Sequence, residues 1–175
     1  MTRSAVGDGL IITGPVGVGK SSIAEAASAL LVSAAVPHGA VDLDWLYSGY
    51  WELVPDSIGM AVRNLEAVWS NYREAGATHL IISGVVEAAD HVDRYRNAAH
   101  LESMTVCRLT ASPKTIEARL RCRNSGDSLL WHLRRAREHS ERMERAGLSD
   151  MVVDTEHRDH TTIASDVLAR IGWLS

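Results

Sequence analysis

Gly14-Pro15-Val16-Gly17-Val18-Gly19-Lys20-Ser21 fits the pattern G-x-x-x-x-G-K-[ST]. The flanks fit as well. Leu10-Ile11-Ile12-Thr13 is an apolar run of strand length directly before it, and Ser22 to Leu31 is an Ala/Leu-rich helical stretch directly after it. A strand, a glycine-rich turn and a helix in that order are what a phosphate-binding loop needs. Glycines let the chain curl until successive N–H groups point inward at phosphate oxygens. The helix N-terminus adds partial positive charge to the same place. In this arrangement the backbone from Gly14 to Ser22, namely Gly14, Pro15, Val16, Gly17, Val18, Gly19, Lys20, Ser21 and Ser22, binds the phosphates of a nucleotide, read here as ATP. Lys20 reaches the β- and γ-phosphates, and the Ser21 hydroxyl is a ligand for Mg2+. Lys20 and Lys114 are the only lysines in a chain whose other cations are arginines, which makes a lysine at this position harder to ascribe to chance.

The rest of the chain alternates short strand-like and helix-like segments. Strand candidates are residues 39–43, 79–83, 104–109 and 151–154, in addition to the first. Helices are expected over 57–75, 88–100, 112–123, 129–145 and 161–171, with Ser112-Pro113 as an N-terminal signal and Gly147 as a stop. Residues 45–56 read as irregular, with Trp45, Tyr47, Tyr50 and Trp51 crowded before Pro55. Five strands alternating with helices imply an α/β/α sandwich around a five-stranded parallel sheet. At 175 residues it is read as one domain spanning 1–175, and ligands are expected at the carboxyl ends of the strands.

Asp42-Leu43-Asp44 falls at the end of the second strand, on the edge of that crevice. One carboxylate there can hold Mg2+, and the other can orient or deprotonate a hydroxyl nucleophile. Asp42 is assigned with Ser21 to the metal, and Asp44 to the acceptor. The plainer reading of the pair is two solvated acids at the start of a loop.

With these residues the chain resembles the small P-loop kinases of the shikimate, gluconate and adenylyl-sulfate kinase kind, and in plan the tunicamycin-resistance and chloramphenicol-phosphotransferase proteins. The loop 14–21, the pair Asp42/Asp44 and the arginine-rich segment Arg119, Arg121 and Arg123 carry the resemblance. It implies a short lid near 119–135 whose arginines close over the phosphates, with Arg134 and Arg135 as further contributors. It also implies an adenine site at Asp154-Thr155-Glu156-His157-Arg158 and an acceptor site near the aromatic cluster. Arg119 and Arg123 share a helix face at i, i+4 and are assigned to charge stabilisation. The competing reading is a solvated face pairing with Glu117. The aromatics either stack on a ring-bearing acceptor or pack the loop onto the core.

The chain departs from common nucleotide hydrolases in two ways. The third strand ends in Ser83-Gly84 with no acid, and no N-K-x-D guanine-reading sequence is present. The implied activity is transfer of the γ-phosphate of Mg·ATP to a small-molecule acceptor, an antibiotic among the options. The alternative is an ATP-binding regulatory protein, or an ATPase without an acceptor. The net charge of −4 gives no reason to expect nucleic acid. No stretch approaches the length that spans a bilayer. Cys107 and Cys122 form no disulfide or metal spacing, and no signal peptide is recognised, so the expected setting is cytoplasmic. The eight histidines show no metal-binding spacing.

Overall fold

The computed structural model describes residues 7–49 and 56–174. Five strands, β1 (Asp8–Thr13), β2 (His38–Asp42), β3 (His79–Ser83), β4 (Ser103–Thr110) and β5 (Met151–Asp154), form one sheet in the order β2-β3-β1-β4-β5. Every pairing is parallel. The helices are α1 (Lys20–Ser33), α2 (Leu43–Tyr47), α3 (Ser57–Glu74), α4 (Ala89–Ala98), α5 (Pro113–Arg121), α6 (Gly126–Ala146) and α7 (His160–Arg170). None of these is long and apolar enough to cross a membrane.

The central strands are apolar on both sides because helices cover both faces. Leu10 and Ile12 of β1 face a core shared with Ile23 and Ala27 of α1 and with Ile163 and Val167 of α7. Ile11, on the opposite side of the same strand, joins Leu65 and Trp69 of α3, Tyr95 of α4 and Val106 of β4. A smaller cluster ties α5 to α6 through Ile116, Leu120 and Ala136. Helices α5 and α7 start, and α6 stops, where their sequences say. Ser112 Oγ caps α5 by accepting the Thr115 N–H at 3.2 Å, Asp159 Oδ1 caps α7 by accepting that of Thr162 at 2.9 Å, and Gly147 (φ 59°) ends α6 in a left-handed turn.

Two local expectations are corrected. The segment after β2 is helical at its start: α2 forms because Asp42 Oδ1 accepts the Asp44 N–H at 3.0 Å, an N-cap with an acid in the first turn. Tyr50, Trp51 and Pro55 lie outside the described residues. Helix α6 begins at Gly126 rather than near 129, so only residues 122–125 separate it from α5.

Candidate active site

The phosphate loop is fixed by what its glycines permit. Gly14, at φ 147°, sits so close to β4 that a Cβ would lie 2.7 Å from the Leu109 carbonyl oxygen. Gly19 is the N-cap of α1 at φ 106°, in the left-handed region, and brings no capping side chain. The N–H groups of Gly17, Gly19, Lys20 and Ser21 have no hydrogen-bond partner among the described residues. Orphan donors at the start of a helix with no acid in its first turn make an anion cradle.

Lys20 reaches back over the loop. Its Nζ donates to the carbonyls of Gly14 at 3.0 Å and Pro15 at 3.1 Å. Burial brings the ammonium down to about 8, opposed by Asp44 and then Asp42 and reinforced by Arg123. Triphosphate requires the charged ammonium, so binding at pH 8.5 is expected to draw a substantial fraction of a proton from the buffer, and at pH 7 very little. Calorimetric titration with Mg·ATP in buffers of different ionisation enthalpy measures this directly; equal uptake at the two pH values would contradict it.

Asp42 and Asp44 have different surroundings although they are two residues apart. Asp42 Oδ2 accepts from Ser21 Oγ at 2.8 Å and from Ser83 Oγ at 2.9 Å, while its Oδ1 caps α2. Asp44 is exposed. Its Oδ1 accepts the Tyr47 phenol at 3.1 Å, and its Oδ2 has no partner among the described residues. Burial first, and then Asp44, push the Tyr47 hydroxyl up to about 12, so it stays a donor. The oxygen pair Ser21 Oγ and Asp42 Oδ2 suits Mg2+, a hard cation that takes one or two protein oxygens and completes its shell with phosphate and water.

On the other side of the loop a network secures the segment after β5. Arg119 Nη1 donates to the Val18 carbonyl at 2.9 Å and to Thr155 Oγ1 at 3.0 Å, and its Nη2 to the Thr155 carbonyl at 3.0 Å. Glu156 accepts from the N–H and Oγ of Ser112 (2.8 and 2.9 Å) and from Thr115 Oγ1 at 2.5 Å. These donors, the Ser112 amide foremost, hold its carboxyl at about 2.

The fold is shared with solved structures of known kind. The tunicamycin resistance protein of Deinococcus radiodurans superposes with a TM-score of 0.67 at 18% identity, covering 95% of this chain and 96% of that one. The APS kinase of Mycobacterium tuberculosis, solved with AMPPNP and APS, gives 0.65 at 20% identity, covering 95% and 98%. A gluconokinase from Sinorhizobium meliloti gives 0.63 at 20% identity, covering 98% and 94%. This chain has the small P-loop kinase fold. No protein-family model and no curated protein sequence matches it.

Within that kinase fold the arginines expected to clamp phosphate separate. Arg119 donates three of its five N–H groups to protein atoms, tying the phosphate loop to Thr155, an anchoring contact beside the clamp expected of it. Arg123 is exposed just past α5 and lies within electrostatic reach of Lys20. Arg121 pairs with Glu117 at 2.5 Å on the surface, the plain reading of this segment. Segment 119–135 consists of the end of α5, the link 122–125 and the first turns of α6. Arg135 pairs with Glu138 and lies over the Trp131 ring. Trp45, 82% exposed on α2, does not pack on the core.

Sequence reasoning missed Ser83, whose hydroxyl serves Asp42 from the strand end where an acid was sought.

Proposed function

We propose that this chain is an ATP-dependent phosphotransferase that moves the γ-phosphate of Mg·ATP to a hydroxyl of a small-molecule acceptor. The observation that carries the reading is the division of labour between the two acids. Asp42 has both oxygens engaged by Ser21, Ser83 and the α2 amide, whereas Asp44 keeps one oxygen for an incoming group. Asp44 therefore receives the acceptor hydroxyl and takes its proton as the oxygen attacks phosphorus. Backbone N–H groups from Gly14 to Ser22, other than that of Pro15, bind the phosphates. Lys20 and Arg123 offset the negative charge that builds up on the transferring group. Ser21 and Asp42 hold Mg2+, which when bound neutralises phosphate charge. Arg119 and Thr155 keep the loop in register with the segment that receives adenine. The shared fold with an APS kinase and a gluconokinase supports this class of reaction.

The test is ADP release from Mg·ATP, with and without a mixed panel of nucleosides, nucleotides, sugar acids and aminocyclitol antibiotics. Release that one acceptor raises many-fold is the expected result. Tight ATP binding with turnover that no acceptor changes would instead favour an ATP-binding regulatory protein.

A further inference from the structure

Between β4, α5 and α6 lies a cavity of about 640 Å³ that the proposed reaction does not use. Its size is that of a site for one small molecule. Lys20, Ser21, Asp42 and Asp44 do not line it, and the phosphate loop meets it only through Pro15. Ile116, one of its walls, also lies against Gly17 of that loop. The cavity therefore adjoins the phosphate loop without sharing the groups assigned to catalysis.

Part of the lining is apolar. Ile116 of α5 and Leu133, Ala136 and Met143 of α6 supply it, and all but Leu133 are buried. The rest is charged, and Arg108 is its unusual member. Arg108 belongs to β4, which runs between β1 and β5, and it pairs in register with Thr13, the last residue of β1. A strand covered on both faces is ordinarily apolar there. Arg108 is half-buried, and its guanidinium makes no hydrogen bond or ion pair among the described residues. Its Nε is shielded from solvent. A second cavity, of about 10 Å³ between Arg108, Thr13, Val86 and Met143, has room for a water but not for a counter-ion. A water satisfies a donor and leaves the charge uncompensated. A shielded charge without a partner is costly, so an arginine in this place points to an anion that the protein does not itself supply.

The remaining charges limit what that anion can be. Arg134 and Arg137 of α6 line the same cavity, together with Glu117 of α5 and Glu141 and Glu144 of α6. Glu117 is answered by Arg121, which is not part of the lining. Three guanidiniums then stand with two carboxylates, and one positive charge is left over. A singly charged group balances it, whereas a phosphate dianion or a polyphosphate is repelled by the carboxylates. Among singly charged anions a carboxylate matches the planar guanidinium with two parallel hydrogen bonds. The apolar walls favour a hydrophobic body attached to that carboxylate.

We infer that this cavity is a second ligand site, separate from the phosphate loop, and that it takes an organic acid with one carboxylate and an aromatic or aliphatic body, the carboxylate resting on Arg108. The site does not depend on the phosphotransferase reading.

The test is titration of the wild-type protein with benzoate, 4-phenylbutyrate and indole-3-acetate, followed by calorimetry and protein NMR. Each acid is paired with its neutral amide, and phenyl phosphate serves as the dianion. At least one acid is expected to bind at millimolar concentration or below, about tenfold or more tighter than its amide and than phenyl phosphate. Saturating Mg·AMPPNP should not displace it. Arg108→Met should remove the preference for acid over amide, and Arg108→Lys, which keeps the charge, should retain part of it. Ser140→Trp, which fills the cavity from α6 and leaves its charges in place, should abolish binding of acid and amide alike. A cooperative thermal transition in each variant establishes that it is folded; should Arg108→Met fail to fold, Arg108→Lys and Ser140→Trp decide. No binding by any of the three acids, an amide that binds as well as its acid, tighter binding of phenyl phosphate, affinity unmoved by the folded variants, or displacement by Mg·AMPPNP would each overturn the assignment.

Discussion

Lys20→Ala is expected to lower acceptor-stimulated ADP release by on the order of 10³-fold while leaving the fold as stable as before, or more so. The activity loss follows from position. Lys20 Nζ is held at the lip of the phosphate loop by the Gly14 and Pro15 carbonyls, and a fixed cation at developing charge, in a site screened from water, is among the larger single contributions to catalysis. The stability effect has the opposite sign because burial brings the Lys20 ammonium down to about 8 from its ordinary 10.5. Between those two values the unfolded chain binds more protons than the folded one, so stability rises with pH across that window. Below about pH 8 the folded protein bears the cost of keeping the part-buried ammonium charged, on the order of 3 kcal/mol. Alanine removes that cost together with two hydrogen bonds to carbonyls. Urea denaturation at pH 7 should therefore give an unchanged or higher midpoint, beside an activity near background. A variant that lost both stability and activity would show Lys20 to be a structural residue first.

How much of this was legible in the sequence depended on how local each feature is. The phosphate loop, its flanking strand and helix, and the alternation that builds the sheet rest on neighbours in the chain, and the structure has them at or within a few residues of the expected places. The errors of extent have local causes too. Asp42 and Asp44 were read for their chemistry, although the same spacing is an N-cap, so the helical turn Leu43–Tyr47 went unseen. Gly126 reads as a breaker and is instead the first residue of α6, at φ 54°. The harder features join distant residues. The i, i+4 spacing of Arg119 and Arg123 put them on one face, but that Arg119 would bond to Val18 and Thr155, 101 and 36 residues away in sequence, depends on where α5 docks. Ser83 meets Asp42 because their strands pair in register, with Asp42 opposite Ser83. The histidines looked scattered because the spacing sought was that of metal ligands.

Asp44→Ala is expected to leave Mg·ATP binding at pH 7 nearly intact and to reduce phosphoryl transfer by roughly 10²- to 10⁴-fold, the usual worth of a positioned general base. The variant is cleaner than the corresponding change at Asp42. The cap of α2 uses the Asp44 N–H, and the Ser48 hydroxyl uses its carbonyl at 2.5 Å, so both survive truncation of the side chain. Only the Tyr47 phenol loses a partner, and Tyr47→Phe is the control for that loss. Removing the Asp44 charge has a second consequence, because among neighbouring charges it is the one that most supports the Lys20 ammonium. The pH at which Mg·ATP binding begins to take up a proton should therefore move down in Asp44→Ala and stay in place in Tyr47→Phe. These readouts separate two roles that a single activity value would merge. A base that also tunes Lys20 gives lost transfer and a shifted binding edge. A residue that merely shapes the field gives the shift with transfer largely kept, and normal transfer in Asp44→Ala would remove Asp44 from the chemistry altogether. Asp42 is a poor substitute in that case, since Ser21, Ser83 and the α2 amide already engage both of its oxygens.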